Sequence, residues 1–384
     1  LTGPRIFSYD AARTACQKKA AACRDKPERN ICTMNRKRLL NTFMDLLKIE
    51  SPSGREGKIS KYVASVMRDC GFSVKKDRAG QGFGGRCGNM LARVPGGDES
   101  LPTLTFVSHL DTVVPNRELR IVFDGKTIKT DGRTILGADD KAGVAVMCEL
   151  ARELSGKASP RCPVELLFSV AEEPGLLGSK NLDFSMLDGR LAFVLDSHTY
   201  VGSIVTAAPS AIGITATVRG KAAHAGVEPE KGINSIAIAS AAITSMRIGR
   251  IDEETTANIG IIKGGRATNI VPQETVVKGE ARSFSEKKLD RQVAHMKEQF
   301  VKHAQSLGGK VKVEITREFT TFVVAKEDPI VRLALAAARR VGRRASILKS
   351  RGGSDANVLN EKGIRSVILG MGYKNPHTER ESIP

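Results

Sequence analysis

Apolar residues recur along this chain in two rhythms, and the order in which the rhythms alternate predicts the fold class. Leu39, Leu40, Phe43, Leu46 and Leu47 share one face of a helical period, and a second helical pattern runs from about Glu56 to Cys70. Ser51, Ser53 and the glycine between the two patterns supply the break. A Gly-rich loop, Ala79 to Gly88, leads into runs of strand length: Asn89 to Val94, Leu104 to Val107, Val164 to Val170, Ala192 to Leu195 and Ile364 to Leu369. Val122 to Leu136 alternates around Asp124-Gly125 and Asp131-Gly132, as hairpins do. Ala142 to Leu154 turns Val144, Met147, Cys148 and Ala151 to one helical side, and Pro329 to Val341 reads as a further helix. Strands alternating with helices predict an α/β fold, with a mostly parallel sheet and helices on both faces.

The rhythm changes near Ala208. Ile212 to Val218 alternates strictly, Ile233 to Ile248 is helical, Ala257 to Ile262 and Thr275 to Arg282 read as strands, Ser285 to Leu307 as a long amphipathic helix, and Val311 to Phe319 as a strand. That order is β-α-β-β-α-β, the ferredoxin-like plan, set as an α+β insertion into the larger domain. The expected organisation is therefore 34–208 and 322–384 as two parts of one domain, interrupted by a small domain at 209–321. Residues 1–33 mix Ala, Lys, Arg and Cys without a sustained period, and Met34 opens the first regular pattern. They are expected to be a disordered or non-native extension, with a basic targeting arm as the alternative.

Chemistry-bearing residues collect at the ends of the apolar runs. Leu104 to Val107 leads to His109 and Asp111, Val164 to Val170 to Glu172 and Glu173, and Ala192 to Leu195 to Asp196. Val367 to Leu369 leads through a Gly-rich turn to His377, and the short run Thr134 to Leu136 to Asp139 and Asp140. In an open α/β sheet the carboxyl ends of parallel strands share one rim, so distant residues converge there. Imidazoles and carboxylates together suit a divalent metal of hard to borderline character.

Each motif also has a structural reading. His109 and Asp111, two apart on an extended chain, let a carboxylate orient an imidazole, but such a pair is common without a metal. Asp139 and Asp140 could simply cap a helix, although a cap needs one acid rather than two followed by Lys141 and Gly143. Glu172 and Glu173 repel unless a cation or a shared proton divides their roles, one binding metal and the other taking a proton. His224 lies in the insertion among Ala222, Ala223, Ala225 and Gly226, where a surface histidine is the plain alternative.

Composition changes little in this picture. The net charge of +18 over 384 residues is uneven, with +7 of it in residues 1–38, and no basic stripe interleaved with aromatics follows. Nucleic acid is not an expected partner, nor is a membrane, since no apolar run approaches spanning length. Seven cysteines without CxxC spacing read as thiols of a reducing compartment. With no apolar leader in the first residues, a cytoplasmic location is expected.

Four segments, His109-Leu110-Asp111, Gly137 to Gly143, Ala171-Glu172-Glu173-Pro174-Gly175 and Pro376-His377-Thr378, resemble the dinuclear-zinc aminoacylase, carboxypeptidase and dipeptidase family. The Gly-Ala-Asp-Asp-Lys-Ala-Gly form is most similar to the peptidase T-like, tripeptide aminopeptidase branch. The likeness runs from about Met34 to the end. It implies a zinc-exopeptidase-like fold and two Zn²⁺ per chain, with Co²⁺ or Mn²⁺ as substitutes. Asp139 would bridge the ions, His109 and Asp196 completing one site and Glu173 and His377 the other. Glu172 would be general base and acid, Asp111 an orienting partner, and His224 a donor to the scissile carbonyl, reaching across a homodimer formed through the small domains. Asn269, Arg282, Gly352, Gly353 and Ser354 match substrate-contacting positions. The likeness also implies a cis Asp139–Asp140 peptide and a chain continuing beyond Pro384 into a helix on the sheet. Hydrolysis of short peptides is the expected activity. Deacylation of N-acyl amino acids on the same site is the alternative, and a non-catalytic binding protein a remote one.

Overall fold

A computed structural model describes residues 34–114, 116–156 and 161–384; the expectation for residues 1–33 lies outside the described residues. In chain order the elements are α1 (Arg36–Leu47), α2 (Gly57–Asp69), β1 (Ser73–Lys76), β2 (Met90–Arg93), β3 (Leu104–His109), β4 (Ile121–Phe123), β5 (Ile128–Thr130), α3 (Ala138–Leu154), β6 (Val164–Ser169), α4 (Leu177–Lys180), β7 (Leu191–Val194) and β8 (Ser203–Ala208). There follow β9 (Ser210–Arg219), α5 (Ser235–Thr244), β10 (Gly249–Arg250), β11 (Thr255–Gly264), β12 (Glu274–Ser283), α6 (Glu286–Ser306), β13 (Lys310–Phe319) and β14 (Phe322–Val323). The chain closes with α7 (Pro329–Arg340), β15 (Ser346–Lys349), α8 (Asp355–Glu361), β16 (Arg365–Leu369) and β17 (Ser382–Ile383).

The chain divides into two compact units. The larger holds the described residues from 34 to 205, Lys326–Ile347 and Lys362–Pro384; the second holds Thr206–Ala325 and Leu348–Glu361. In the larger unit the sheet runs β1-β2-β6-β3-β7-β16-β8. The sheet is mixed rather than mostly parallel as expected, with only its centre parallel: β6, β3, β7 and β16 pair in one direction, while β1, β2 and β8 join antiparallel. Those four parallel strands are the ones that lead to His109, Glu172, Asp196 and His377, so their carboxyl ends share one rim. β6 is buried at every position, as a central strand covered on both faces must be. Leu46, Leu47, Val63, Met67, Met90, Val144, Met147 and Phe168 pack the core between sheet and helices. Leu39, Phe43, Phe106, Phe193, Ala337 and Ile383 line an apolar groove of about 710 Å³ in this unit.

The second unit follows the β-α-β-β-α-β plan, with the sheet ordered β10-β11-β12-β9-β13 and every pair antiparallel. Helices α5 and α6 bury Ile238, Ala242, Leu289, Met296 and Phe300 against it. Asn234 and Ser285 cap the two helices with their side chains, accepting from Ala237 N and Lys288 N.

Two further expectations need correction. Thr134 to Leu136 forms no strand: the run is too short to pair, and it is held as loop by the hydroxyl of Thr130, which donates to Thr134 O at 2.9 Å. The stretch 348–361, placed with the larger domain from its sequence, clusters with the second unit instead. Ser350 N donates to Ala207 O at 2.8 Å, and Asn357 Nδ2 to Thr320 O at 2.7 Å, so backbone and side chain both draw it there. Among the described residues no helix is long and apolar enough to cross a membrane.

Candidate metal centre

His109 ends β3 and is 1% exposed. Its Nδ1 lies 3.0 Å from the carbonyl oxygen of Asp111 and 3.5 Å from that residue's Oδ1, which assigns the proton to Nδ1 and leaves Nε2 as a donor for a metal. Nε2 lies 3.2 Å from Asp139 Oδ1 and 3.9 Å from Asp196 Oδ1. The other oxygen of Asp139, Oδ2, lies 3.2 Å from His377 Nε2, which is also 3.1 Å from Glu173 Oε2. One carboxylate therefore stands between two imidazoles, each with a further carboxylate beside it. The Asp139–Asp140 peptide is cis, as the resemblance implied.

The donor set fits divalent metal. Ligand atoms of His109, Asp139 and Glu173 lie within 4.8 Å of one another, as do those of His109, Asp140 and Asp196. Glu173 Oε1 is buried and has no hydrogen-bond partner, an orphan that a cation would satisfy. Asp140 is near enough to join the second group, but its oxygens are already engaged: Oδ2 accepts from Ser108 Oγ at 2.5 Å and Oδ1 from Gly143 N at 3.2 Å. Its role is to hold the turn. A side chain on Gly143 would meet Asp140 Oδ1 and Leu195 O at 2.6 Å, so only glycine lets the turn pack this closely.

Asp111 does more than orient His109. Its Oδ1 accepts from Glu172 N at 3.0 Å, and its Oδ2 from Glu173 N at 3.2 Å and Ser53 Oγ at 2.6 Å. This buried carboxylate fixes the turn on which both glutamates sit. Ala171, just before them, adopts φ +46°, and its N–H donates at 3.0 Å to Glu56 Oε1. Glu172 itself is 8% exposed.

The electrostatics are those of a site short of positive charge. Burial disfavours the charged form of His109, yet hydrogen bonds to Asp111 and Asp139 outweigh it and hold the pKa well above the ordinary histidine value. Hydrogen bonds to Asp139 and Glu173 push His377 up to about 10, against burial. Burial works to raise Asp139, but the two imidazoles hold its carboxyl below the usual range. Asp196 is raised, first by burial and then by the charge of Asp139. Protons on the imidazoles thus meet part of a demand that a divalent cation would meet fully.

Several contributors carry no signal in the sequence. Tyr373 OH donates to Asp196 Oδ1 at 3.0 Å. Lys141, fully buried, donates from Nζ to Ile49 O at 2.7 Å, and burial lowers its pKa to about 8. Glu381 accepts from Gly137 N and Asp139 N. Tyr373 and Glu381 stand in stretches without periodicity, and Glu56 reads only as the start of a helix, so only the folded chain reveals their contacts.

The remaining expected residues lie in the second unit and form two groups. His224 and Asn269 are joined by backbone: Ala225 N donates to Asn269 O at 2.9 Å, and His224 bridges Ile270. Both side chains are exposed. Arg282 is held by Glu280 at 3.0 Å and lies 6.0 Å above the Phe319 ring. Gly353 packs against that ring so closely that a Cβ would meet it at 2.4 Å, and Gly352 N donates to Ser350 Oγ at 3.0 Å. Ser354 is buried, its N–H bonded to Asn357 Oδ1.

Known proteins resemble this chain along most of its length. Residues 206–307 match a peptidase dimerisation domain, and residues 89–200 match peptidase family M28. The chain is 43% identical to the uncharacterized protein YqjE of Bacillus subtilis, over 91% of this chain and 94% of that one. It is 28% identical to peptidase T of Clostridium novyi, over 77% and 81% of the two chains. Among solved structures it resembles aminopeptidase PepT from Bacillus cereus, with 43% identity, a TM-score of 0.81 and coverage of 91% and 94%. A tripeptidase from Staphylococcus aureus is similar at 38% identity and a TM-score of 0.85, with the same coverage.

Proposed function

This chain belongs to the M20 family of metallopeptidases and is related to peptidase T, and we propose that it is a zinc-dependent exopeptidase of short peptides, working as a tripeptide aminopeptidase. The observation that carries this reading is the place of Asp139, with one oxygen toward His109 and the other toward His377. His109, Asp139 and Asp196 would hold one zinc ion, and Asp139, Glu173 and His377 the other. When bound, the ions supply Lewis acidity and lower the pKa of water toward neutrality.

The chain's own residues then divide the work. Glu172 takes a proton from the attacking water and later gives one to the departing amine. Asp111 keeps it in place by accepting its backbone N–H. His224 donates a hydrogen bond to the carbonyl oxygen as negative charge develops there. Asn269, Arg282 and the Gly352-Gly353-Ser354 loop hold the rest of the peptide. The exposed position of His224 suits contact with a second copy, and we assign the exposed Ile261, Ile262 and Ile315 of the same unit to a homodimer contact. A cytoplasmic setting agrees with the unpaired thiols of Cys70, Cys87, Cys148 and Cys162.

The test is a panel of tripeptides, dipeptides and N-acyl amino acids, assayed after chelation and again after adding zinc. Zinc-restored cleavage of tripeptides from the amino end is expected. Turnover confined to N-acyl amino acids would establish deacylation instead, and turnover that survives complete chelation would overturn the metal mechanism.

A further inference from the structure

Glu381 stands four residues beyond His377, in a stretch of acids and arginine that reads as solvated chain. Its side chain is nonetheless buried, with the residue 1% exposed. Oε2 accepts from Gly137 N at 2.7 Å and Oε1 from Asp139 N at 3.0 Å. These amides enter α3, whose first turn has no side-chain cap of its own, because Gly137 at φ +77° occupies the cap position. The cap comes instead from a residue more than 240 positions away.

The far end of that link is equally fixed. Glu381 N donates to Thr378 O at 3.0 Å, and Ser382 pairs with Lys374 in both directions, at 2.7 and 3.1 Å. The loop from 374 to 382 is therefore closed on itself around His377, which sits at φ +64°. Its base is tied down by β17 pairing with β5. A single carboxylate thus joins the turn that presents Asp139 to the loop that presents His377, and the two presented atoms meet at 3.2 Å.

A local cap would have served the helix alone. A buried carboxylate beside an acidic cluster costs stability, from both desolvation and repulsion, whereas a neutral acceptor would cap at smaller cost. What the carboxylate adds is two charge-assisted bonds from one rigid group to two amides of the same turn. We propose that Glu381 is a positioning residue that sets the spacing of Asp139 and His377, and so the affinity of the chain for the divalent ion held by Asp139, Glu173 and His377. This rests on the metal reading of the preceding section.

The test uses Glu381→Ala and Glu381→Gln in the full chain. Co²⁺ is titrated in a chelator-buffered solution and followed by its visible absorption and by metal count, with circular dichroism and Tm as controls. Wild type should take up two ions. Glu381→Ala should remain folded and lose 10–100-fold in affinity for the ion held with His377, the scale for losing a partner that orients a ligand, with a smaller loss for the other ion, which shares Asp139 but not His377. Excess Co²⁺ should restore kcat. Glu381→Gln keeps one acceptor oxygen and should lie between. A folded Glu381→Ala chain that binds both ions as wild type does, whatever its Tm, would overturn the proposal. Should that variant not fold, an unchanged affinity in Glu381→Gln would do the same. A wild-type chain that takes up fewer than two ions would refute the metal reading itself, and this inference with it.

Discussion

Replacing Glu172 and Glu173 by glutamine, one at a time, separates proton transfer from metal holding, although the two residues are adjacent. At Glu172 the turn is held by backbone: its N–H donates to Asp111 Oδ1 at 3.0 Å, and that bond survives the exchange. Glutamine has the carboxylate's size, so the ligands keep their places. What disappears is the proton acceptor, whose role is typically worth 10²–10⁴-fold in rate, about 2.7–5.5 kcal/mol of barrier. At Glu173 the side chain itself is engaged, with Oε2 at 3.1 Å from His377 Nε2 and Oε1 buried without a partner. Losing a mere orienting partner costs 10–100-fold in metal affinity. Losing the ligand should cost about 100-fold or more, roughly 2.7 kcal/mol.

Stability without metal should move the other way at Glu173. Its ligand atom and that of Asp139 lie within 4.8 Å, where two like charges at an effective dielectric near 20 repel by about 3.5 kcal/mol. Against this stands the loss of the pair with His377, which is 49% exposed and therefore worth about 1 kcal/mol or less. In chelator, Glu173→Gln should thus melt no lower than wild type, and with zinc it should melt lower. The assay is metal per chain by mass spectrometry after gel filtration, with kcat on a tripeptide and Tm in both conditions. Equal metal loss in the two variants, or more than a tenth of wild-type kcat in Glu172→Gln, would refute the division of labour.

Three further outcomes are expected. Arg38 donates two bonds to Glu149, at 2.8 and 2.6 Å, and holds its carboxyl below the usual range against burial. A depressed folded pKa stabilises above the unfolded value and stops doing so as pH falls through the folded one. Arg38→Ala should therefore cost about 2 kcal/mol at pH 7 in urea unfolding, the scale for hydrogen bonds to charged groups, with the deficit shrinking below about pH 4. Because His109 and His377 are raised, metal must displace protons from them, so zinc affinity should climb as pH rises, toward the His377 value of about 10. Calorimetry in buffers of different ionisation enthalpy should register the protons released; a pH-independent affinity would contradict the assignment. His224→Ala should lower kcat by about 10²-fold with zinc retained, and mixing it with Glu172→Gln subunits should restore part of the activity; no recovery in verified heterodimers would place His224 at its own chain's site.

Strand ends were legible because each is an apolar run closed by an acid or an imidazole, and β3, β6, β7 and β16 all appear where the pattern puts them. The same rule failed for Thr134 to Leu136, since three residues cannot say whether a neighbour exists to pair with. The fold of the second unit was readable from the switch to strict alternation, yet 348–361 was misplaced because its ties run through Asn357 and Ser350 to backbone far away in sequence. His109, Asp139, Asp140, Glu172, Glu173, Asp196 and His377 stood out as acids and imidazoles beyond apolar runs, while the division of roles among them came from the resemblance. The carboxylates of Glu56 and Glu381 gave no such sign, for a Glu beside polar residues looks the same whether it faces water or two backbone amides.

Those hidden carboxylates explain how an acidic site can persist in a folded chain. Apart from His109, which ends β3, the candidate donors stand beyond the strand ends, and two of the turns there adopt left-handed backbone: Ala171 at φ +46° before the glutamates and His377 at φ +64°. Non-glycine residues in that region cost about 1–3 kcal/mol each and persist only where surroundings over-determine them. Here the surroundings are bonds to fixed acceptors. Glu56 takes the amides of Ala171 and Gly54, Asp111 those of Glu172 and Glu173, and Glu381 those of Gly137 and Asp139. The turn that carries Asp139 and the turn that carries Glu172 and Glu173 are thus held by carboxylates from elsewhere in the chain. The candidate ligands Asp139 and Glu173 are therefore positioned by backbone-bound acids, and the strain of the turns is balanced where the sequence looks least informative.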